Sequence, residues 1–233
     1  MVDFRVDTRA VPDVNALLDA AARVHGLVII NHPALPSSEA CRGCGWTAAG
    51  TDYAKVQGVE VVGGGLADGP LSGTDFWQAR LNAGDHLTAV GGSENHSPDL
   101  PTAAFTAVGH PITLVWAVAL SQRAVLSAIR AGHAFIDVER TPGRLVELTA
   151  GAARMGDTPG RAAGRGGVHP PTRVGVKDRW RVLEDGSPAS TALADPIATD
   201  DQTAVFTLRT DGARHWVRLD VRTTDDRRAF RQE

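Results

Sequence analysis

Between Pro12 and Gly26 the apolar positions Val14, Leu17, Leu18, Ala21 and Val24 recur at helical spacing. Asp13 is placed to cap that helix and Gly26 to stop it. Leu27 to Ile30 then forms a continuous run of branched apolar residues, the pattern of a strand buried on both faces, and it ends at Asn31-His32-Pro33. The pattern recurs with a strand from Val59 to Val62, a glycine loop, a helix from Asp75 to Ala83 behind Thr74 as N-cap, and a strand from Leu87 to Val90. After a loop holding Pro98, Pro101 and Pro111 come a strand from Thr113 to Ala117, a helix from Ser121 to Ala131 stopped by Gly132, and a strand from Ala134 to Val138. Strand and helix alternate throughout this stretch, which predicts a parallel α/β fold up to about residue 140.

Beyond Arg140 the helical period gives way to period two. Val217, Leu219 and Val221 are expected inside, with Arg218, Asp220 and Arg222 facing water. Asp211-Gly212 predicts a turn that pairs this strand with the run Ala204 to Leu208. With further strands at Leu145 to Leu148 and Trp180 to Leu183, the expectation is a small antiparallel β-sandwich-like domain. The chain is therefore expected to divide into residues 1–140 and 141–233, with the Gly- and Pro-rich segment 160–172 separating the β-sandwich from the first part. No repeat of fixed period is present.

Composition narrows the functions open to such a chain. A chain of 24.5 kDa with 42% hydrophobic residues can bury a sizeable core. A net charge of -3 and a pI near 6.2 supply no general field for nucleic acid or an anionic membrane, so neither is expected as a partner. No apolar run approaches the roughly 20 residues of a membrane span. The start Val2-Asp3-Phe4-Arg5-Val6-Asp7 lacks the basic head and apolar centre of a signal peptide, so the chain as written is expected in the cytoplasm. A signal peptide further upstream would change that to a secreted or periplasmic setting. Oligomeric state is not legible. Cys41 and Cys44, the only cysteines, form a C-x-x-C in a glycine-containing loop. That spacing suits a local disulfide or two loop thiols, a redox pair, or half of a zinc site whose other half is not seen in the sequence.

The eight histidines separate by position. His25, His86 and His133 each fall between a helix end and a strand start, where interaction with helix-terminal carbonyls is the expected role. His32 and His96 follow strands directly, at the carboxyl ends where α/β proteins build their sites. Glu94 and His96 stand two apart, so continued strand geometry would turn both side chains the same way and offer an N/O pair to zinc, manganese or iron. Glu60 lies within an apolar strand, where a carboxylate must find a partner or point into a site. His110, in the proline-containing loop, is within the region expected to reach substrate. His169 and His215 belong to the β part and are given no chemical role.

Three segments in this order, Gly26-Leu27-Val28-Ile29-Ile30-Asn31-His32-Pro33, Val59-Glu60-Val61-Val62 and Leu87-Thr88-Ala89-Val90-Gly91-Gly92-Ser93-Glu94-Asn95-His96, together with Gly109-His110-Pro111 and the helix to Gly132, resemble the PHP (polymerase and histidinol phosphatase) superfamily. The resemblance is nearest to its carbaryl-hydrolase-like metallohydrolase branch and covers about residues 10–140. It implies a partial, distorted α/β barrel with a centre of two or three divalent metal ions at the strand carboxyl ends. Such ions would activate a bridging water and stabilise transition-state charge during hydrolysis of a small-molecule ester or phosphoester. His32 matches the family's His-Pro ligand, Glu94 and His96 match its Asp-x-His pair, and Glu60 lines the site in a catalytic position. Two departures stand out. Glu94 replaces the family's Asp, and the family's His-x-His has no counterpart in the 233 residues. The expectation is a metal-dependent hydrolase impaired by that loss, as in a C-terminal portion of a longer domain. The alternatives are a shortened, non-catalytic binding or partner-dependent module and a thiol redox protein built on Cys41 and Cys44.

Overall fold

The computed structural model describes residues 10–39, 41–101, 106–140, 145, 147–159, 166–169, 179–189, 204–206, 211–222 and 228–231. Helix α1 spans Val14–Arg23, with the Asp13 side chain accepting from the Ala16 N–H at 2.9 Å. Strand β1 is only Ile29–Ile30, β2 is Gly58–Gly63, α2 is Thr74–Asn82 and β3 is Thr88–Gly92. Then follow β4 (Ile112–Val115), α3 (Gln122–Arg130) and β5 (Ala134–Asp137). The remaining strands are β6 (Glu147–Ala150), β7 (Ala153–Arg154), β8 (Gly166–His169), β9 (Arg179–Glu184), β10 (Ser187–Pro188), β11 (Ala204–Phe206), β12 (Val217–Arg222) and β13 (Arg228–Arg231).

All three helices end the same way. In α1 the N–H groups of His25 and Gly26 bond back to the carbonyls of Ala22 and Ala21. Gly84 and Asp85 close α2 onto Leu81 and Arg80, and Gly132 and His133 close α3 onto Ile129 and Ala128. Each is a Schellman turn, which needs one left-handed residue. Gly84 and Gly132 supply it at φ +93° and +76°, but in α1 His25 does so at +55°, one position before the glycine expected to stop the helix. The α2 N-cap is likewise Gly73 rather than Thr74, which is already the first helical residue.

Strands β1, β2 and β3 form a parallel three-stranded sheet in that order. Gln57 lengthens the β1 edge by accepting from the Val28 N–H through its side chain and donating its own N–H to the Val28 carbonyl. The core under this sheet gathers Leu18, Ile30, Val59, Val61, Val62, Trp77, Leu87 and Ile136, with the Trp77 indole donating to the Leu87 carbonyl at 2.7 Å. Its cohesion comes from the apolar area these side chains remove from water, and the indole N–H is satisfied inside it.

The parallel arrangement stops at β3, which corrects the expectation for residues up to 140. Strands β4 and β5 run antiparallel, with Val115 opposite Ala134, so α3 sits inside a hairpin connection instead of crossing over. They belong to a six-stranded sheet ordered β10-β9-β12-β13-β5-β4, which spans both sides of residue 140, and among the described residues no barrel closes. A second sheet runs β11-β8-β6-β7. Mixed α/β architecture holds; the predicted hairpin of β11 with β12 does not, because β11 pairs with β8 and β12 lies between β9 and β13. Most of 160–172, and the end of the expected strand beyond Phe206, lie outside the described residues.

Central placement also changes the faces of β12. Val217, Leu219 and Val221 are buried as expected, but so are Arg218 and Asp220. These two share one face of the strand, and Arg218 grips Asp220 with Nε at 2.8 Å and Nη2 at 3.0 Å, while Arg181 adds a bond at 3.1 Å. A bidentate guanidinium–carboxylate contact satisfies the buried charges that the alternation assigned to water. Among the described residues no helix is long and apolar enough to cross a membrane.

Candidate functional site

Glu60 is the residue around which the carboxyl ends of the parallel strands are organised. It is 6% exposed, in the middle of β2, just before a bulge at which the pairing shifts between Glu60 and Val62. Its carboxylate runs out between two glycines. A Cβ built at Gly63 would lie 3.2 Å from Oε2 and one at Gly92 would lie 2.8 Å from Oε1, so side chains on either flank would fill the space that the carboxylate occupies. Oε2 accepts from the His32 backbone N–H at 3.1 Å and also lies in ion-pair contact with His32 Nδ1.

His32 stands two residues past β1 with φ +49°, a left-handed conformation that is uncommon for a residue with a Cβ. Its carbonyl accepts from the Leu35 N–H at 3.3 Å and from the Gly45 N–H at 3.0 Å. The ring therefore faces two carboxylates, Glu60 on Nδ1 and Glu94 on Nε2, the latter at 3.7 Å to Oε1. Burial pushes the Glu60 carboxyl above its ordinary 4.5, opposed by the His32 imidazole and N–H and reinforced by the Glu94 charge. Such a group holds or takes up a proton more readily than a surface glutamate.

Glu94 reaches this point because the chain leaves strand geometry. β3 ends at Gly92, and Glu94 has φ +50°, which turns its side chain back over Gly64 and toward His32. The strand geometry on which the Glu94–His96 pairing was expected therefore does not continue past Gly92. His96 is exposed, while Asn95 ties the turn down by donating to the Thr106 carbonyl at 2.8 Å. His110 is partly buried in the loop before β4, and its N–H donates to the Ala107 carbonyl at 2.9 Å. A polar cleft of about 280 Å³ lined by Asp68, Thr74, Arg181 and Arg218, among others, contains none of His32, Glu60 and Glu94.

The donor set is one imidazole and two carboxylates, which suits zinc, manganese or iron. In tetrahedral zinc with bonds of about 2.1 Å, two ligands lie roughly 3.4 Å apart. The 3.7 Å between His32 Nε2 and Glu94 Oε1 is close to that, so this pair fits one ion. His96 does not complete it, and among the described residues no three such side chains converge in a ligating geometry.

Of the histidines given no part in the site, His86, His133 and His215 make identifiable side-chain contacts. His86 Nε2 lies 2.9 Å from the Gly156 carbonyl and His133 Nε2 lies 2.9 Å from Asp157 Oδ1, so both hold the turn after β7 instead of the helix ends. His215 is bound on both nitrogens, by Asp185 at 2.6 Å and Asp211 at 2.8 Å, and those carboxylates raise its pKa above 6.5. The side chain of His169 lies outside the described residues. Comparison with protein-family profiles, with curated proteins and with solved structures finds no match for this chain.

Proposed function

We propose that the His32–Glu60–Glu94 cluster is a divalent-metal site of the PHP type, built for hydrolysis of a small-molecule ester or phosphoester. The supporting observation is convergence: Glu60 within β2 and Glu94 beyond β3, 34 positions apart in sequence, both meet the imidazole of His32, which stands beyond β1 and 28 positions before Glu60. His32 and Glu94 would hold zinc, manganese or iron. A metal bound there would supply Lewis acidity and an activated water. Glu60, whose carboxyl is biased toward the protonated form by burial, is suited to carry the proton exchanged with substrate or leaving group. His96 and His110, in the loops after β3 and before β4, would contact substrate. With two fitting ligands the centre is incomplete by the family's standard, and hydrolysis by this chain is expected to be weak.

Metal-free protein equilibrated with zinc or manganese and then desalted should retain metal by elemental analysis, and His32→Ala and Glu94→Ala should each lose it. A chain that retains none, or retains it equally in both variants, overturns this reading. Convergence of fewer than three ligands favours a second reading, a non-catalytic binding module. It predicts cooperative folding and no turnover of p-nitrophenyl esters or phosphodiesters at any metal loading.

A further inference from the structure

We propose that the Cys41–Cys44 disulfide is a redox latch on His32. The two cysteines are bridged, with Cα atoms 5.5 Å apart, in the loop that links β1 to β2. The residues immediately after the bridge hold the site. Gly45 donates its N–H to the His32 carbonyl and Trp46 donates its N–H to the Pro33 carbonyl, both at 3.0 Å. These bonds hold His32 at φ +49°, a left-handed conformation uncommon for a residue with a Cβ. The near side of the bridge is also tied in. Cys41 donates its N–H to Ser38 Oγ at 3.1 Å, and its carbonyl accepts from Ser38 N at 3.2 Å and from Cys44 N at 3.4 Å. The bridge is a side-chain cross-link, added to the main chain, that closes this turn immediately before the pair of N–H groups that clamp His32-Pro33.

Access to the two sulfurs is unequal, because Cys44 is 3% exposed while Cys41 is partly exposed. A thiolate arriving from solvent therefore meets Cys41 Sγ, forms a mixed disulfide there and releases Cys44 as a thiolate that takes up a proton. A second thiol attacks the mixed disulfide, frees Cys41 and leaves as the oxidised partner. Two electrons and two protons pass from a low-molecular-weight dithiol, or two thiols, to the protein. Once the bridge is open, the turn at 41–44 is restrained by its main chain and hydrogen bonds alone, and the Gly45 N–H is less firmly fixed against the His32 carbonyl. The imidazole then samples orientations away from Glu94, and metal held by that pair is released. This last consequence rests on the proposed metal site; the loosening of the loop does not.

Amide hydrogen exchange and zinc titration on the full chain separate the two. Between the oxidised protein and protein reduced with a phosphine, the Gly45 and Trp46 amides should exchange at least tenfold faster in the reduced state, and zinc affinity should fall about tenfold. Cys41→Ser/Cys44→Ser should match the reduced protein without reductant and ignore it thereafter; Cys41→Ser alone serves if the double variant does not fold. Equal exchange in the two states, equal zinc affinity in the two states, or two alkylatable thiols in protein treated with glutathione disulfide overturns the latch. Faster exchange with no zinc bound in either state keeps the loop response and overturns the metal reading instead.

Discussion

Replacing Gly73 with alanine tests how tightly α2 is seated on the strand that carries Glu60. The backbone at Gly73, φ -74° and ψ 0°, is open to any L-residue, so conformational strain is not at issue. Space is. A Cβ there would lie 2.1 Å from the Glu60 carbonyl oxygen and 3.0 Å from Val61 Cα, against an ordinary contact of 3.4 Å or more. The oxygen contact is thus short by about 1.3 Å, since 3.4 less 2.1 is 1.3. Both walls are backbone, so the helix must lift from β2 and break the Gly73 N–H bond to the Val61 carbonyl, now 3.0 Å. Overpacking of this kind costs about 3 kcal/mol, and the stiffer unfolded chain of alanine returns about 0.4–1 kcal/mol. The net loss is about 2–3 kcal/mol. With a urea slope near 2 kcal/mol/M, the midpoint should fall by about 1–1.5 M. Gly92→Ala is the control, because there the obstructing atom is Glu60 Oε1, at 2.8 Å, the end of a side chain that can yield. It should leave stability within about 1 kcal/mol while displacing the carboxylate from His32 and weakening zinc retention. A Gly73→Ala protein as stable as its parent, or a Gly92→Ala protein that loses as much, would refute the reasoning.

The ion pair inside β12 predicts a large effect at a position the alternation assigned to water. Asp220→Ala takes away the carboxylate that Arg218 and Arg181 both contact and should destabilise by about 3–5 kcal/mol in thermal or chemical unfolding; a change under 1 kcal/mol would mean that those charges are solvated. His215 titrates above its ordinary 6.5 because Asp185 and Asp211 bind its two nitrogens. Its contribution to stability is therefore full below 6.5 and lost as pH rises through the higher folded value, so Asp185→Asn should lower the pKa read by NMR and flatten stability over that window. At the end of α1, His25→Gly relieves the left-handed residue at φ +55° and should stabilise by about 0.5–1 kcal/mol. Calorimetry showing a loss would assign the His25 side chain a role that its exposed position does not suggest.

The helices were legible nearly to the residue because their signals are local. Asp13 and Ser121 cap α1 and α3 as their chemistry suggests, and only the left-handed position at His25 and the N-cap of α2 moved by one. Strand direction was not legible. A strand, a helix and a strand read the same whether the helix crosses over or sits within a hairpin, and the second partner of β5, strand β13, lies about a hundred residues away. The same blindness covers β11 and β12, whose turn chemistry at Asp211-Gly212 is real, since Asp211 accepts from the Ala213 N–H, without joining those two strands. At the candidate site, Glu60 stood out as a carboxylate in an apolar run, and His32 as a histidine after a strand. Pairing Glu94 with His96 assumed an extended backbone that the left-handed turn at Glu94 interrupts. The glycines at 63 and 64 read as loop; in the structure they and Gly92 are the clearance around two carboxylates.

Thr113 links the two sheets through a single hydroxyl, which donates to the Gly91 carbonyl at 2.9 Å and accepts from the Gly91 N–H at 2.8 Å. Around it, Ile136 Cγ2 and Pro111 leave no room for a Cβ at Gly91, so the peptide leading to Glu94 is held from outside its own sheet. The three-stranded sheet is therefore not a transplantable unit. A recombination event or a designed graft that moved residues 10–101 alone would carry His32, Glu60 and Glu94 but leave behind the hairpin that aims the last of them. In this chain the boundary of what can be inherited as a working piece falls beyond β5, past the point where the parallel pattern ends.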